Sequence, residues 1–252
     1  MYGLRFFMEQ IIRKFVLIVA GGAGNRMNTD LPKQFLKLNN IPILVHTLKQ
    51  FYDAQPHAEF ILVLPKKDLT IWENICLELD ENQVLENAFK IFVSTIKVVI
   101  GGSTRFQSVK NGLDSIAFSD GIIAIHDGVR PFIRPKIINQ SFEVAQQKGC
   151  AIVAVTPKDS IRIVGDKGKN IAQNRSSIRL VQTPQTFDLR KLKLAYQTEE
   201  KDFFTDDASV FEYNQNEIYL IEGDYQNIKI TTPEDLAIGQ WILDHRKNAE
   251  TT

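Results

Sequence analysis

Phe15-Val16-Leu17-Ile18-Val19-Ala20 runs without a polar side chain and is stopped by Gly21-Gly22. A strand wet on one face alternates apolar with polar, so a short unbroken apolar run reads as a strand buried on both faces of a parallel sheet. Phe60–Leu64, Ile96–Ile100, Gly121–Ile125 and Ala151–Val155 repeat the signature. Between them Ile43–Tyr52, Leu69–Leu79, Thr104–Ala117 and Pro135–Gln147 carry helical spacing. Strands alternating with helices imply right-handed crossovers and helices on both faces. The expected fold is therefore α/β, a Rossmann-like, mostly parallel sheet flanked by helices. Ligands of such sheets lie beyond the carboxyl ends of the strands.

The alternation breaks between Thr156 and Gln185. Asp159–Val164 alternates polar with apolar, Gly165–Asn170 reads as a turn, and a second extended stretch follows. That pattern predicts a protruding β-hairpin arm. So small a unit has too little core to stand alone and is expected to pack on a second subunit, making a homodimer. The expected organisation is one domain over 14–246, with 157–182 as the arm and 1–13 as an N-terminal extension. Thr232-Pro233-Glu234-Asp235 opens a final helix, with Thr232 as cap, Pro233 as first helical residue and Asp235 as the capping-box acid.

Composition excludes more than it identifies. The chain of 252 residues carries 30 basic and 30 acidic side chains, so no global charge draws it to nucleic acid or an anionic membrane. No apolar stretch approaches the roughly 20 residues that span a bilayer. Cys76 and Cys150 form no metal-ligand spacing and no disulfide framework. With an N-terminus that lacks the pattern of a signal peptide, these features place the protein in the cytoplasm as an expectation.

The loop after the first run is the most informative segment. Ala20-Gly21-Gly22-Ala23-Gly24-Asn25-Arg26-Met27 leads to Leu31-Pro32-Lys33. Glycines directly after a buried strand let the backbone approach a ligand and aim N–H groups at phosphate oxygens. Met27 stands where a dinucleotide fingerprint needs its third glycine, and no Gly-Lys-Ser/Thr follows at P-loop spacing. Arg26 and Lys33 add two cations to this loop, which suits a nucleoside triphosphate better than glycine N–H groups alone.

AGGAGNRM and LPKQF together resemble the nucleotide loop of sugar-phosphate nucleotidyltransferases, and within them the 2-C-methyl-D-erythritol 4-phosphate cytidylyltransferases. GGSTRFQSV (Gly101–Val109), HDGVRPF (His126–Phe132), TPKDSI (Thr156–Ile161), QTPQTF (Gln182–Phe187), FTDDAS (Phe204–Ser209) and NIKITTPEDL (Asn227–Leu236) follow in the family's order. The likeness runs from about Phe15 to Leu243. It implies a transferase that joins CTP to a polyol phosphate with Mg²⁺ in non-mevalonate isoprenoid precursor synthesis. It also implies that Ala20, Gly21, Gly22, Ala23, Gly24, Gly101, Gly102, Ser108 and Asp127 hold CTP. The same resemblance gives Asp127, Arg130, Ser160, Arg175, Thr183, Thr205 and Lys229 to the second substrate, with Arg175 reaching across to the partner subunit's site. Arg26, Lys33 and Lys229 are the expected catalytic cations, and Asp127 is the expected metal ligand.

A phosphate monoester is largely a dianion at neutral pH, its second pKa being near ~6, so attack on the α-phosphorus of CTP needs no general base. His126 therefore reads as a packing residue at a strand end, and Asp206-Asp207 as a helix cap with dipole partners. Ribitol 5-phosphate cytidylyltransferases carry very similar motifs and remain the alternative. A non-catalytic nucleotide-binding subunit is disfavoured, because binding alone would not need Arg26, Lys33, Asp127, Arg130 and Lys229 together.

Overall fold

A computed structural model describes residues 12–22, 27, 31–81 and 85–249. In chain order the first half holds β1 (Lys14–Val19), β2 (Lys37–Leu38), β3 (Ile41–Pro42), α1 (Ile43–Ala54), β4 (Glu59–Leu64), α2 (Leu69–Glu81), α3 (Asn87–Thr95), β5 (Lys97–Ile100) and α4 (Arg105–Asp114). The second half holds β6 (Ile122–Asp127), α5 (Pro135–Lys148), β7 (Cys150–Val155), β8 (Ile161–Val164), β9 (Asn170–Gln173) and β10 (Leu180–Asp188). It ends with α6 (Leu189–Ala195), α7 (Asp207–Tyr213), β11 (Leu220–Glu222) and α8 (Pro233–Ala249).

The main sheet has the order β11-β7-β10-β6-β1-β4-β5. β6, β1, β4 and β5 are parallel neighbours, as are β11 and β7, while β10 runs antiparallel between β6 and β7. Successive β1 side chains point to opposite faces, which explains its unbroken apolar run. Val16 and Ile18 join the core under α1, α2, α3 and α5, whereas Phe15, Leu17 and Val19 join the core under α4, α6 and α7. Gly112 brings α4 close to the sheet: a Cβ there would lie 2.4 Å from Leu17 Cδ1. The first turn of α4 is thereby set beside the carboxyl ends of β1 and β4.

Helix starts follow the expected chemistry. Thr104 caps α4 by accepting from the Gln107 N–H at 3.1 Å. At α8, Thr232 Oγ1 accepts from the Asp235 N–H at 3.3 Å and the Asp235 carboxylate accepts from the Thr232 N–H at 2.9 Å, the reciprocal box expected there. No helix among the described residues is long and apolar enough to cross a membrane.

The hairpin is present as β8 paired, among the described residues, only with β9, Ile163 lying opposite Ile171. Its predicted span needs correction at the far end. Residues from Leu180 onward belong to β10, which is bonded to β7 and β6 inside the main sheet. The expectation failed there because Pro184 and a run of polar residues argue against an interior strand. The sheet accommodates them through a register shift between Val181 and Gln185.

Candidate active site

The carboxyl ends of β1, β4, β5 and β6 open onto three cavities that share walls. The first is lined by Ala20, Gly21, Lys33, Arg105, Asp127 and Lys229, among others. The second adds Arg130, Thr183, Gln185, Thr205 and Asp206 on the side of β10 and α7. The third runs along Gly21, Gly22, Gly101, Gly102, Thr104 and Ser108.

Lys33 reaches the first cavity from a single 3-10 turn, Lys33–Phe35, started by Pro32. Phe35 is buried in the core, and Gln34 is buried with its Nε2 donating to Asp68 Oδ2 at 3.0 Å. These two anchors hold the turn. A Cβ on Gly22 would stand 3.8 Å from Lys33 Nζ, so the ammonium lies over the glycines that follow β1. In the third cavity Ser108 ties the glycine turn to α4: its hydroxyl donates to the Thr104 carbonyl at 2.8 Å and accepts from the Gly102 N–H at 3.1 Å. Gly101 and Gly102 have no room for a side chain there, since a Cβ would meet Ser108 Oγ at 2.8 Å and Gln107 Cβ at 2.3 Å respectively.

Asp127, the last residue of β6, is the centre of the charge pattern. Its Oδ2 lies 3.0 Å from Lys229 Nζ and 3.2 Å from Arg130 Nε, while Oδ1 faces Arg105 Nε at 3.8 Å. Burial pushes this carboxyl up, but Arg105, Lys229 and Arg130 outweigh burial and hold it well below the ordinary carboxylate range. Arg130 is fixed further by donating to the Asn227 carbonyl at 2.9 Å.

His126 is fully buried beside it. A carbonyl can only accept, so Nε2 carries the proton and donates to the Arg130 carbonyl at 3.1 Å. Nδ1 then accepts from Thr183 Oγ1 at 3.0 Å, and Thr183 Oγ1 accepts from the Asp127 N–H at 3.1 Å. Thr183 lines the second cavity with its hydroxyl proton committed to His126. The packing role expected for His126 is what the structure shows. Burial pushes its imidazole down to about 3, against the pull of the Arg130 carbonyl and Asp127.

This has a consequence for stability. Above pH ~6.5 the imidazole is neutral folded or unfolded, and below that only the unfolded chain takes up the proton. Stability from the buried neutral ring is thus complete above the unfolded pKa and is lost as pH falls toward the folded value. The expected slope is about 1.4 kcal/mol per pH unit. Urea midpoints at about pH 7.5 and about pH 5 should show roughly 2 kcal/mol more acid loss in the wild type than in His126→Gln. Equal acid losses would remove His126 as the source.

Comparison with known proteins decides the family. The family model of 2-C-methyl-D-erythritol 4-phosphate cytidylyltransferase matches residues 14–245. The chain belongs to this family. A relative of that name from Bacteroides thetaiotaomicron is 42% identical over 92% of this chain and 100% of its own length. Another from Clostridium botulinum is 41% identical over 90% of this chain and 98% of its own. Among solved structures, a 4-diphosphocytidyl-2C-methyl-D-erythritol synthase from Anaerococcus prevotii aligns with a TM-score of 0.76 at 27% identity, over 92% of this chain and 99% of that one. A cytidylyltransferase of the family from Francisella tularensis aligns with a TM-score of 0.69 at 30% identity, over 91% and 99% of the two chains.

Set against the residues that the family resemblance singles out, the structure brings together Ala20, Gly21, Gly22, Lys33, Gly101, Gly102, Ser108, Asp127, Arg130, Thr183, Thr205 and Lys229 around the three cavities. Ala23, Gly24 and Arg26 lie outside the described residues. Ser160 and Arg175 are exposed and line none of the three cavities, and Arg175 Nη1 donates to the Lys158 carbonyl.

Two further residues carry more than sequence reasoning gave them. Arg105, quoted within GGSTRFQSV without a role, lines all three cavities. Asp207, read as a helix dipole partner, is fully buried and takes Arg105 Nη1 and Nη2 at 2.9 and 2.6 Å. Asp206 does cap α7, accepting from the Ser209 N–H at 2.9 Å. A positive residue at the first position of α4, where the helix dipole disfavours it, was the available signal for Arg105.

Proposed function

We propose that the protein carries out its family's reaction, transfer of CMP from CTP to 2-C-methyl-D-erythritol 4-phosphate with release of pyrophosphate. The observation that carries this reading is Asp127 held by Arg105, Arg130 and Lys229 at the wall between the glycine-lined cavities and the cavity of Thr183 and Thr205. Donor and acceptor then occupy adjoining spaces with cations at their boundary.

In the reaction an oxygen of the acceptor phosphate forms a bond to the α-phosphorus of CTP, and the bond from that phosphorus to the bridging oxygen of the β-phosphate breaks. Pyrophosphate takes the electron pair. The acceptor dianion needs no base, and His126 has both ring nitrogens committed within the fold. The obstacle is repulsion between anions. Lys33 and Lys229 act on it by screening the α-phosphate and the charge developing on the leaving group, with Arg26 as the third cation expected from the same loop. Gly21, Gly22, Gly101 and Gly102 supply close backbone approach to the nucleotide.

The residues fit Mg²⁺ that arrives with the triphosphate. No group of three or more His, Cys, Asp or Glu side chains gathers to hold a metal among the described residues. Asp127 Oδ1, whose salt-bridge partner among the described residues is Arg105 Nε at 3.8 Å, could offer one carboxylate oxygen beside phosphates and water, the kind of shell Mg²⁺ takes. When bound there, Mg²⁺ would neutralise phosphate charge that the lysines leave unscreened.

The arm completes this reading as a dimer contact. Ile163 and Ile171, opposite one another on β8 and β9, are 53% and 62% exposed, an apolar pair that a second subunit would cover. Ser160 and Arg175 on this segment would then serve the partner's acceptor pocket.

The test is pyrophosphate release by purified protein with CTP and Mg²⁺, offered either methylerythritol 4-phosphate or ribitol 5-phosphate. Turnover with the first alone is expected. Turnover only with ribitol 5-phosphate would move the acceptor assignment and leave the nucleotide half standing, and release with neither would overturn the reading. A fully active monomer in sedimentation would remove the arm's part in it.

A further inference from the structure

The geometry points to Arg105 as a positioning residue, the live end of a buried strut, Tyr196–Asp207–Arg105, that fixes Asp127 and couples α7 on the acceptor side to the nucleotide groove. This inference rests on the reaction proposed above and adds a device that none of its substrate-facing residues supplies.

The strut is built from elements distant in the chain. Arg105 opens α4, Tyr196 follows α6, and Asp207 opens α7. Tyr196 Oη donates to Asp207 Oδ1 at 2.6 Å, Asp207 receives both terminal nitrogens of Arg105, and Arg105 Nε faces Asp127 Oδ1 at 3.8 Å. Tyr196 is 2% exposed and stacks on Phe106 with ring centroids 4.7 Å apart, so its hydroxyl is held as firmly as the α4 residue next to Arg105. A planar guanidinium gripped by both carboxylate oxygens has its orientation set, which a lysine ammonium could not reproduce.

The charge balance decides between two roles for Arg105. Its positive charge is already matched by a fully buried carboxylate at 2.6 Å, so it is poorly placed to serve as the cation that screens incoming phosphates. Lys229, 41% exposed and sharing the single charge of Asp127 with two arginines, is better placed for that, as is Lys33 over the glycines. What Arg105 contributes is place: its Nε stands 3.8 Å from Asp127 Oδ1, away from the Oδ2 that Lys229 and Arg130 share, and it forms a wall of each cavity. Asp206, the neighbour of Asp207, caps α7 and lines the acceptor cavity, so a shift of α7 moves acceptor wall and strut together.

The experiment compares Arg105→Lys, Tyr196→Phe and the double variant with the wild type in steady-state turnover. Leu79→Ala, in the core on the opposite face of the sheet, serves as a control for destabilisation alone. Misplacement of groups by about 1 Å costs on the order of 10²-fold, so Arg105→Lys should lower kcat by about that factor with KM for CTP within about 3-fold. Tyr196→Phe keeps the shape and every cavity wall, and should lower kcat by roughly 3- to 10-fold for the one hydrogen bond removed. Because the two act through one strut, the double variant should lose no more than Arg105→Lys alone. Leu79→Ala should keep its kcat at a temperature where all five proteins are folded.

Near-normal kcat in both single variants, losses confined to KM, or losses that multiply in the double variant would each overturn the strut. A wild type that fails to turn over would instead overturn the reaction on which it rests.

Discussion

Lys33→Ala should lower turnover by roughly 10²–10³-fold, the cost of removing one preorganised group that stabilises developing charge. The reaction moves negative charge from a bridging oxygen onto departing pyrophosphate, so a fixed cation at that position helps the transition state more than the ground state. The effect should therefore appear mainly in kcat and in single-turnover rates. Stability should change little. The turn that carries Lys33 is held by Phe35 in the core and by Gln34 on Asp68, neither of which the substitution touches. Urea midpoints of variant and wild type are expected to agree while rapid-quench rates separate. Turnover within a few-fold of wild type would show that Lys33 only lines the cavity. Lys33→Arg should restore part of the loss, since it returns the charge in a different hydrogen-bonding shape.

The parts of this site that were legible in sequence are those whose cause is local. The Phe15–Ala20 run specifies a buried strand, and the glycines that end it stand at the cavity walls within a few residues. Thr104 and the Thr232–Asp235 box announce helix starts by contacts with backbone three residues away. The strut was not legible, because Arg105 and Asp207 are separated by 102 positions and each has an ordinary local explanation. β10 escaped for a related reason. Gln182, Thr183, Gln185 and Thr186 are buried polar residues in an interior strand, a pattern that periodicity assigns to the surface. Each is satisfied by a partner from elsewhere: Gln182 by the Asp224 carbonyl, Thr183 by His126, Gln185 by Asp206 and the Ala208 N–H, Thr186 by Ser141. Long-range hydrogen bonding made the strand possible, and no window of sequence contains it.

Asp127→Asn should separate binding from turnover at the same site. The substitution keeps the shape of the side chain and removes the one charge shared by Lys229, Arg130 and Arg105. An amide can still offer its oxygen to Lys229 and Arg130, but its NH₂ then faces the Arg105 guanidinium, donor against donor. With one negative charge fewer, the cavity becomes more positive and should bind metal-free pyrophosphate several-fold more tightly than wild type, an effect that salt weakens. Turnover should nevertheless fall by about 10²-fold or more, because the cations lose the anchor that aims them and, on the proposed reading, a bound Mg²⁺ would lose a carboxylate oxygen. Without ligand the variant should also be less stable. Breaking a buried pair costs about 3–5 kcal/mol, a figure to be reduced here because Lys229 is 41% exposed and partly screened by water. Pyrophosphate should then raise the urea midpoint of the variant more than that of the wild type, since it replaces the missing counter-charge. Tighter pyrophosphate binding with slower turnover would establish Asp127 as the group that orders the cations. Unchanged binding and unchanged stability would mean that Lys229, Arg130 and Arg105 are placed by other contacts and that Asp127 serves the substrate alone.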